Sequence, residues 1–79
     1  MKVHIEFDTD NAAFENDPKE VNRVMVAAMS KVDRVWGVYR HWVAECEASG
    51  IPGPLPDPLM DEHLLDQNGN FVGFVRVTP

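Results

Sequence analysis

A small two-layer α+β domain, with a three-stranded sheet and one long helix on its face, is what this sequence predicts. Three observations lead there: KVHIEF at residues 2–7 alternates in character, an apolar stripe at helical spacing runs from Val21 to Cys46, and Asn68-Gly69 separates two strand-like segments. With 79 residues, 44% hydrophobic and 25% charged, the chain fits a single globular domain spanning residues 1–79. Such a short chain builds a modest core, which leaves a role for a partner or a homodimer contact.

The first strand places Val3, Ile5 and Phe7 on one face and Lys2, His4 and Glu6 on the other. DTDNAAFEN then reads as a polar connector, and Asp17-Pro18-Lys19-Glu20 as a helix start. Asp17 is the expected cap, Pro18 suits the first helical position, and Glu20 completes a capping box. From there Val21, Val24, Met25, Ala28, Val32, Val35, Trp36, Tyr39, Trp42, Val43 and Cys46 recur at steps of three and four or close to them. Ser49-Gly50 is the expected end, with Pro52 forbidding continuation.

Unbroken, this helix would be roughly 45 Å long at 1.5 Å per residue, more than short strands can cover. Either it kinks near Trp36-Gly37, or its far end overhangs and buries Trp36, Tyr39 and Trp42 elsewhere. GIPGPLPDP, residues 50–58, has prolines at alternate positions, a poor PxxP ligand that would instead run back over those aromatics.

Residues 62–67 and 70–77 read as a hairpin around a type I′ Asn68-Gly69 turn, pairing Gln67 with Asn70, Leu65 with Val72 and His63 with Phe74. The last strand is apolar on both faces, with Phe71, Val75 and Val77 on one and Val72 and Phe74 on the other. One face is expected to meet the helix and the other to lie open to a partner.

Cys46 is the only cysteine, which excludes an internal disulfide framework. The N-terminal residues lack the apolar core of a signal peptide, and no stretch is apolar enough to span a bilayer, so a cytoplasmic protein without membrane contact is expected. A net charge of -6 disfavours direct nucleic-acid binding and favours basic protein partners. The charge is segregated. Residues 18–48 hold four acids against five bases, whereas the rest holds nine acids against Lys2 and Arg76 alone.

Chemistry-bearing patterns are sparse. Residues 8–19 and 66–77 begin like calcium loops but lack the required glycine and the closing glutamate. His41, Glu45 and Cys46 form the best metal cluster, without a second ligand pair. Ser30, Ser49, Thr9, Thr78 and Cys46 sit in no nucleophile motif, and His4 with His63 would form an acid/base pair only if the first two strands were neighbours. The sequence therefore points to neither an enzyme nor a cofactor.

Binding candidates are clearer. Asp8, Asp10, Glu15 and Asp17 follow the first strand and Asp57, Asp61, Glu62 and Asp66 surround the second, forming one acidic patch if those segments share an end of the sheet. Trp36, Tyr39 and Trp42 are of the residue types that anchor interfaces, although at helical spacing they also suit a core. Arg40, four residues after Trp36, is placed for a cation–π contact.

FDTDNAAF after the strand, DPKEVNRVM opening the helix and LLDQNGNFVGFVRV in the hairpin resemble a family of small phage and prophage proteins. The resemblance covers residues 5–32 and 64–77 and includes no catalytic motif, while residues 36–60 are longer than the family pattern. By size, acidity and apparent origin the chain is also similar to small anti-CRISPR proteins. Several of those are acidic and block the type I surveillance complex, Cascade, at the basic surfaces where it binds target DNA. The resemblance implies a non-catalytic inhibitor of a basic subunit in the bacterial host cytoplasm. The alternative is a phage structural or assembly protein that acts by homodimerisation.

Overall fold

The computed structural model describes residues 1–50 and 53–79; Pro52, the expected helix stop, lies outside them with Ile51. Five elements follow one another: β1 (Lys2–Phe7), α1 (Ala12–Asn16), α2 (Glu20–Ser49), β2 (Met60–Leu65) and β3 (Phe71–Thr78). The strands form one antiparallel sheet in the order β1-β3-β2, and α2 packs on one face, giving the expected α+β architecture. Because β3 is central, His4 and His63 sit on opposite edge strands and do not form the conditional acid/base pair.

The core follows from strand alternation. Val77 stands between Val3 and Met60, and Val75 between Ile5 and Glu62, so alternate residues of three strands share a row. Val24 and Ala28 of α2 close over Met60, Leu64, Val75 and Val77, all of them buried. Phe7 is covered from elsewhere, by a stacked contact to Phe14 with ring centroids 6.0 Å apart. Val3 remains 46% exposed beyond the reach of the helix.

Three local readings need correction. The DTDNAAFEN connector contains α1, because Asn11 caps it by accepting the N–H groups of Ala13 (3.0 Å) and Phe14 (3.3 Å), which lets Ala13 and Phe14 enter the core. Asp17 does not cap α2. It closes a tight turn instead: its carboxylate accepts the Lys19 N–H at 2.9 Å and its carbonyl the Glu20 N–H at 3.1 Å, so Pro18 occupies a turn position. α2 starts at Glu20 without a side-chain cap, and Glu20 turns inward rather than completing a capping box.

The hairpin loop is one residue longer than the Asn68-Gly69 pair predicts. Gly69 N–H donates to the Asp66 carbonyl at 3.0 Å and Asp66 N–H to the Asn70 carbonyl at 3.0 Å, with Gly69 alone at positive φ. This is a three-residue loop with a left-handed glycine rather than a two-residue I′ turn. Asp66 decides between them, since its carboxylate holds the N–H groups of Asn68 and Asn70, both at 2.9 Å. A bulge follows, pairing Leu65 with Phe71 and Leu64 with Gly73, while His63 keeps its expected partner Phe74. The bulge reverses the alternation around it. Val72 packs against the core, and Phe71 lies 72% exposed beside the His63 ring.

α2 is one continuous element of 30 residues through Gly37, and it ends at Gly50 in the left-handed conformation (φ 71°). Overhang, rather than a break, resolves the length mismatch: the molecule extends 53 Å along its long axis and only 18 Å and 17 Å across. The described residues after Gly50 return along the overhanging end. Gly53 N–H meets the Cys46 Sγ at 3.3 Å, and Pro54, Leu55 and Pro56 line a groove with Tyr39 and Trp42. No helix among the described residues is long and apolar enough to cross a membrane.

Candidate functional site

The eight acids of the proposed patch separate according to what surrounds each carboxylate. Asp66 is buried and accepts four hydrogen bonds, from the Asn68 and Asn70 N–H groups, the Asn70 amide at 3.3 Å and the Asn11 amide at 3.1 Å. The Asn70 N–H is the chief cause of a pKa held below the usual carboxylate value. Asp66 therefore organises the loop and presents no free charge at the surface.

Glu62 points toward the helix from edge strand β2, where it meets Lys31 at 2.5 Å and Arg34 at 3.3 Å. The Lys31 hydrogen bond is the main reason its pKa is lowered. Asp61, on the opposite sheet face, pairs with Arg76 at 3.1 Å. These three acids are engaged within the fold.

Asp8, Asp10, Glu15, Asp17 and Asp57 form no ion pair with Lys or Arg among the described residues. Asp8 and Asp10 leave the end of β1, where Asp8 accepts the Asp10 N–H at 2.8 Å and both line an open depression of about 420 Å³ with Glu6. Glu15 follows on α1 and Asp17 directly after it. The segment is tied to the hairpin loop through Asn11 and Asp66, so four free acids gather at the loop end of the sheet. Asp57 is not among them. Its neighbour Leu59 donates to the Val77 carbonyl at 2.7 Å, toward the other end of β3, whereas Asp8 donates to Val72 at 2.9 Å.

Beneath the acidic end lies a pair that the sequence pattern left unremarked. Glu20 is wholly buried and accepts Nε–H and Nη2–H from Arg23 together with the Gln67 N–H at 2.6 Å, and Arg23 also donates to the Leu65 carbonyl at 2.9 Å. Arg23 is the largest cause of the lowered Glu20 pKa. One signal was available: Glu20, Val24 and Ala28 are spaced by four, which puts the acid on the buried face.

Trp36, Tyr39 and Trp42 form a stacked ladder on the overhanging half of α2, with centroid separations of 5.8 Å and 6.1 Å. Tyr39 and Trp42 are half-buried against the returning chain, beside a groove of about 320 Å³. Trp36 is 44% exposed, and the Arg40 guanidinium lies 5.6 Å from its ring centre, as the spacing suggested. The metal candidates divide: His41 pairs with Glu45 at 3.0 Å while Cys46 turns to Gly53. Among the described residues no group of three His, Cys, Asp or Glu is arranged to hold a metal. No protein-family model, curated protein or solved structure matches the chain.

Proposed function

We propose that this chain is a non-catalytic inhibitor of the anti-CRISPR type, which binds a basic protein surface of a type I Cascade in the bacterial host cytoplasm and blocks its access to target DNA. The observation behind this reading is the cluster of unneutralised acids at one end: Asp8, Asp10, Glu15 and Asp17 fall within ten residues and have no Lys or Arg partner among the described residues. Nearby Arg23 pairs with Glu20 and offsets part of the Asp17 charge at longer range, while Asp8, Asp10 and Glu15 have no ion pair with Lys or Arg among the described residues. A row of carboxylates on a defined scaffold competes with phosphates for lysines and arginines, and electrostatic attraction accelerates the encounter.

The test is binding of the purified protein to purified type I Cascade, with target-DNA binding followed in the same samples. Affinity is expected to fall with rising salt, and the combined Asp8→Lys and Asp10→Lys change to slow association about tenfold or more. Absence of binding, or binding indifferent to both salt and charge reversal, would overturn the reading.

A further inference from the structure

We infer that the exposed flank of α2 is a two-fold interface with a second copy of this chain, in which the helices pack antiparallel about a centre near Trp36. Met25, Met29, Val32, Trp36 and Val43 are spaced by four, three, four and seven residues, the repeat of a helix seam, with Tyr39 filling the missing step. At 1.5 Å per residue this seam is about 27 Å long. The sheet and the returning chain leave it partly open, with Met29 56% and Trp36 44% exposed.

Charge identifies the occupant. Each copy carries -6, so two copies repel unless they meet where the charge is balanced. α2 comes nearest to that: it carries four acids and four bases, of which Glu20 and Arg23 pair with each other and Lys31 and Arg34 meet Glu62 of β2. Asp33 and Arg40, one residue beyond Val32 and Tyr39, flank the seam seven residues apart and therefore on the same side. Asp33 has no ion-pair partner among the described residues, and Arg40 lies only against the Trp36 ring.

In an antiparallel pair centred between residues 36 and 37, Asp33 of each copy comes level with Arg40 of the other. The same register sets Met29 level with Ala44 of the second copy, one residue past Val43, and places the two Trp36 side chains one residue apart across the axis. A surface whose acid and base exchange places under a two-fold rotation is complementary to itself, as an isologous dimer requires. The interface lies on the helix flank and leaves the acidic end free.

Sedimentation of the intact protein across a wide concentration range tests this. A reversible dimer is expected, and Trp36→Glu or Met29→Lys should return it to monomer with an unchanged circular dichroism spectrum. Asp33→Arg alone and Arg40→Asp alone should each weaken self-association about tenfold or more, since two attractive pairs become two repulsive ones. Mixed together, those two variants should form a heterodimer of near wild-type strength. A wild-type monomer at every concentration would overturn the inference, as would a dimer that tolerates the seam substitutions, which would point to another contact such as the open edge of β1. Failure of the mixture to recover association would overturn the antiparallel register.

Discussion

Asn11 and Asp66, 55 positions apart in the chain, are joined by a 3.1 Å hydrogen bond from the Asn11 amide to the Asp66 carboxylate. Asn11 also caps α1 through its side-chain oxygen, so one residue fixes both the acidic segment and its attachment to the hairpin. Asn11→Ala removes both functions. It should cost about 1 kcal/mol for the cap, with a further loss for the cross-link, measured as a lower midpoint in urea. Asn11→Asp should keep the cap yet remain destabilised, because it sets a carboxylate against Asp66.

The pKa values of Glu20, Glu62 and Asp66 are all lowered in the folded state, against ordinary values of 4.5, 4.5 and 3.8. The unfolded chain therefore binds protons more readily, and the stabilisation from these groups is fully present above those ordinary values. It is lost as the pH falls through the lower folded values. Denaturant midpoints should be flat with respect to these three groups near neutrality and fall below about pH 4.5. Glu20→Gln should shrink that acid-side slope.

Gly37 lies in the middle of α2 with nothing within 4 Å of the position a Cβ would take. Gly37→Ala should therefore stabilise the protein by roughly 0.5–1 kcal/mol through helix propensity alone. A higher melting temperature with an unchanged oligomeric state is the expected result.

Gly73 is the opposite case. A Cβ there would lie 1.9 Å from the Glu6 carbonyl oxygen and 2.5 Å from the Phe7 Cα, both backbone atoms of β1. Gly73→Ala must push β1 away from β3, and a loss of roughly 1–3 kcal/mol or more is expected, measured by chemical denaturation. Hydrogen exchange should quicken first in residues 2–7, the strand displaced.

The elements themselves were legible from hydrophobic periodicity and stop signals: β1 and the end of α2 at Gly50 stand where Lys2–Phe7 and Ser49-Gly50 placed them, while the His63–Phe74 pairing expected from a two-residue loop survives because the bulge offsets the extra loop residue. What the pattern concealed depended on side chains working across distance. Asn-Gly favours a two-residue turn locally, but the Asp66 carboxylate recruits two backbone N–H groups and shifts the loop by one residue. Asp17 resembles a cap, yet the inward pull on Glu20 from Arg23 and the Gln67 N–H moves the helix start beyond it. The eight acids were visible, but their division was not, because Lys31, Arg34 and Arg76 reach Glu62 and Asp61 only after folding.

The strand order β1-β3-β2 also governs the order of events during synthesis. β1 leaves the ribosome before the other strands, but its hydrogen-bonding partner comprises residues 71–78, so it must wait unpaired until that stretch has emerged. β2 waits for the same stretch. Contacts between parts of the chain as distant as β1 and β3 form slowly, and α2, whose bonds are local, is the element able to form early. During that interval the nascent chain is a helix with an uncovered apolar face and a loose N-terminal strand, the stage at which a chaperone would find it.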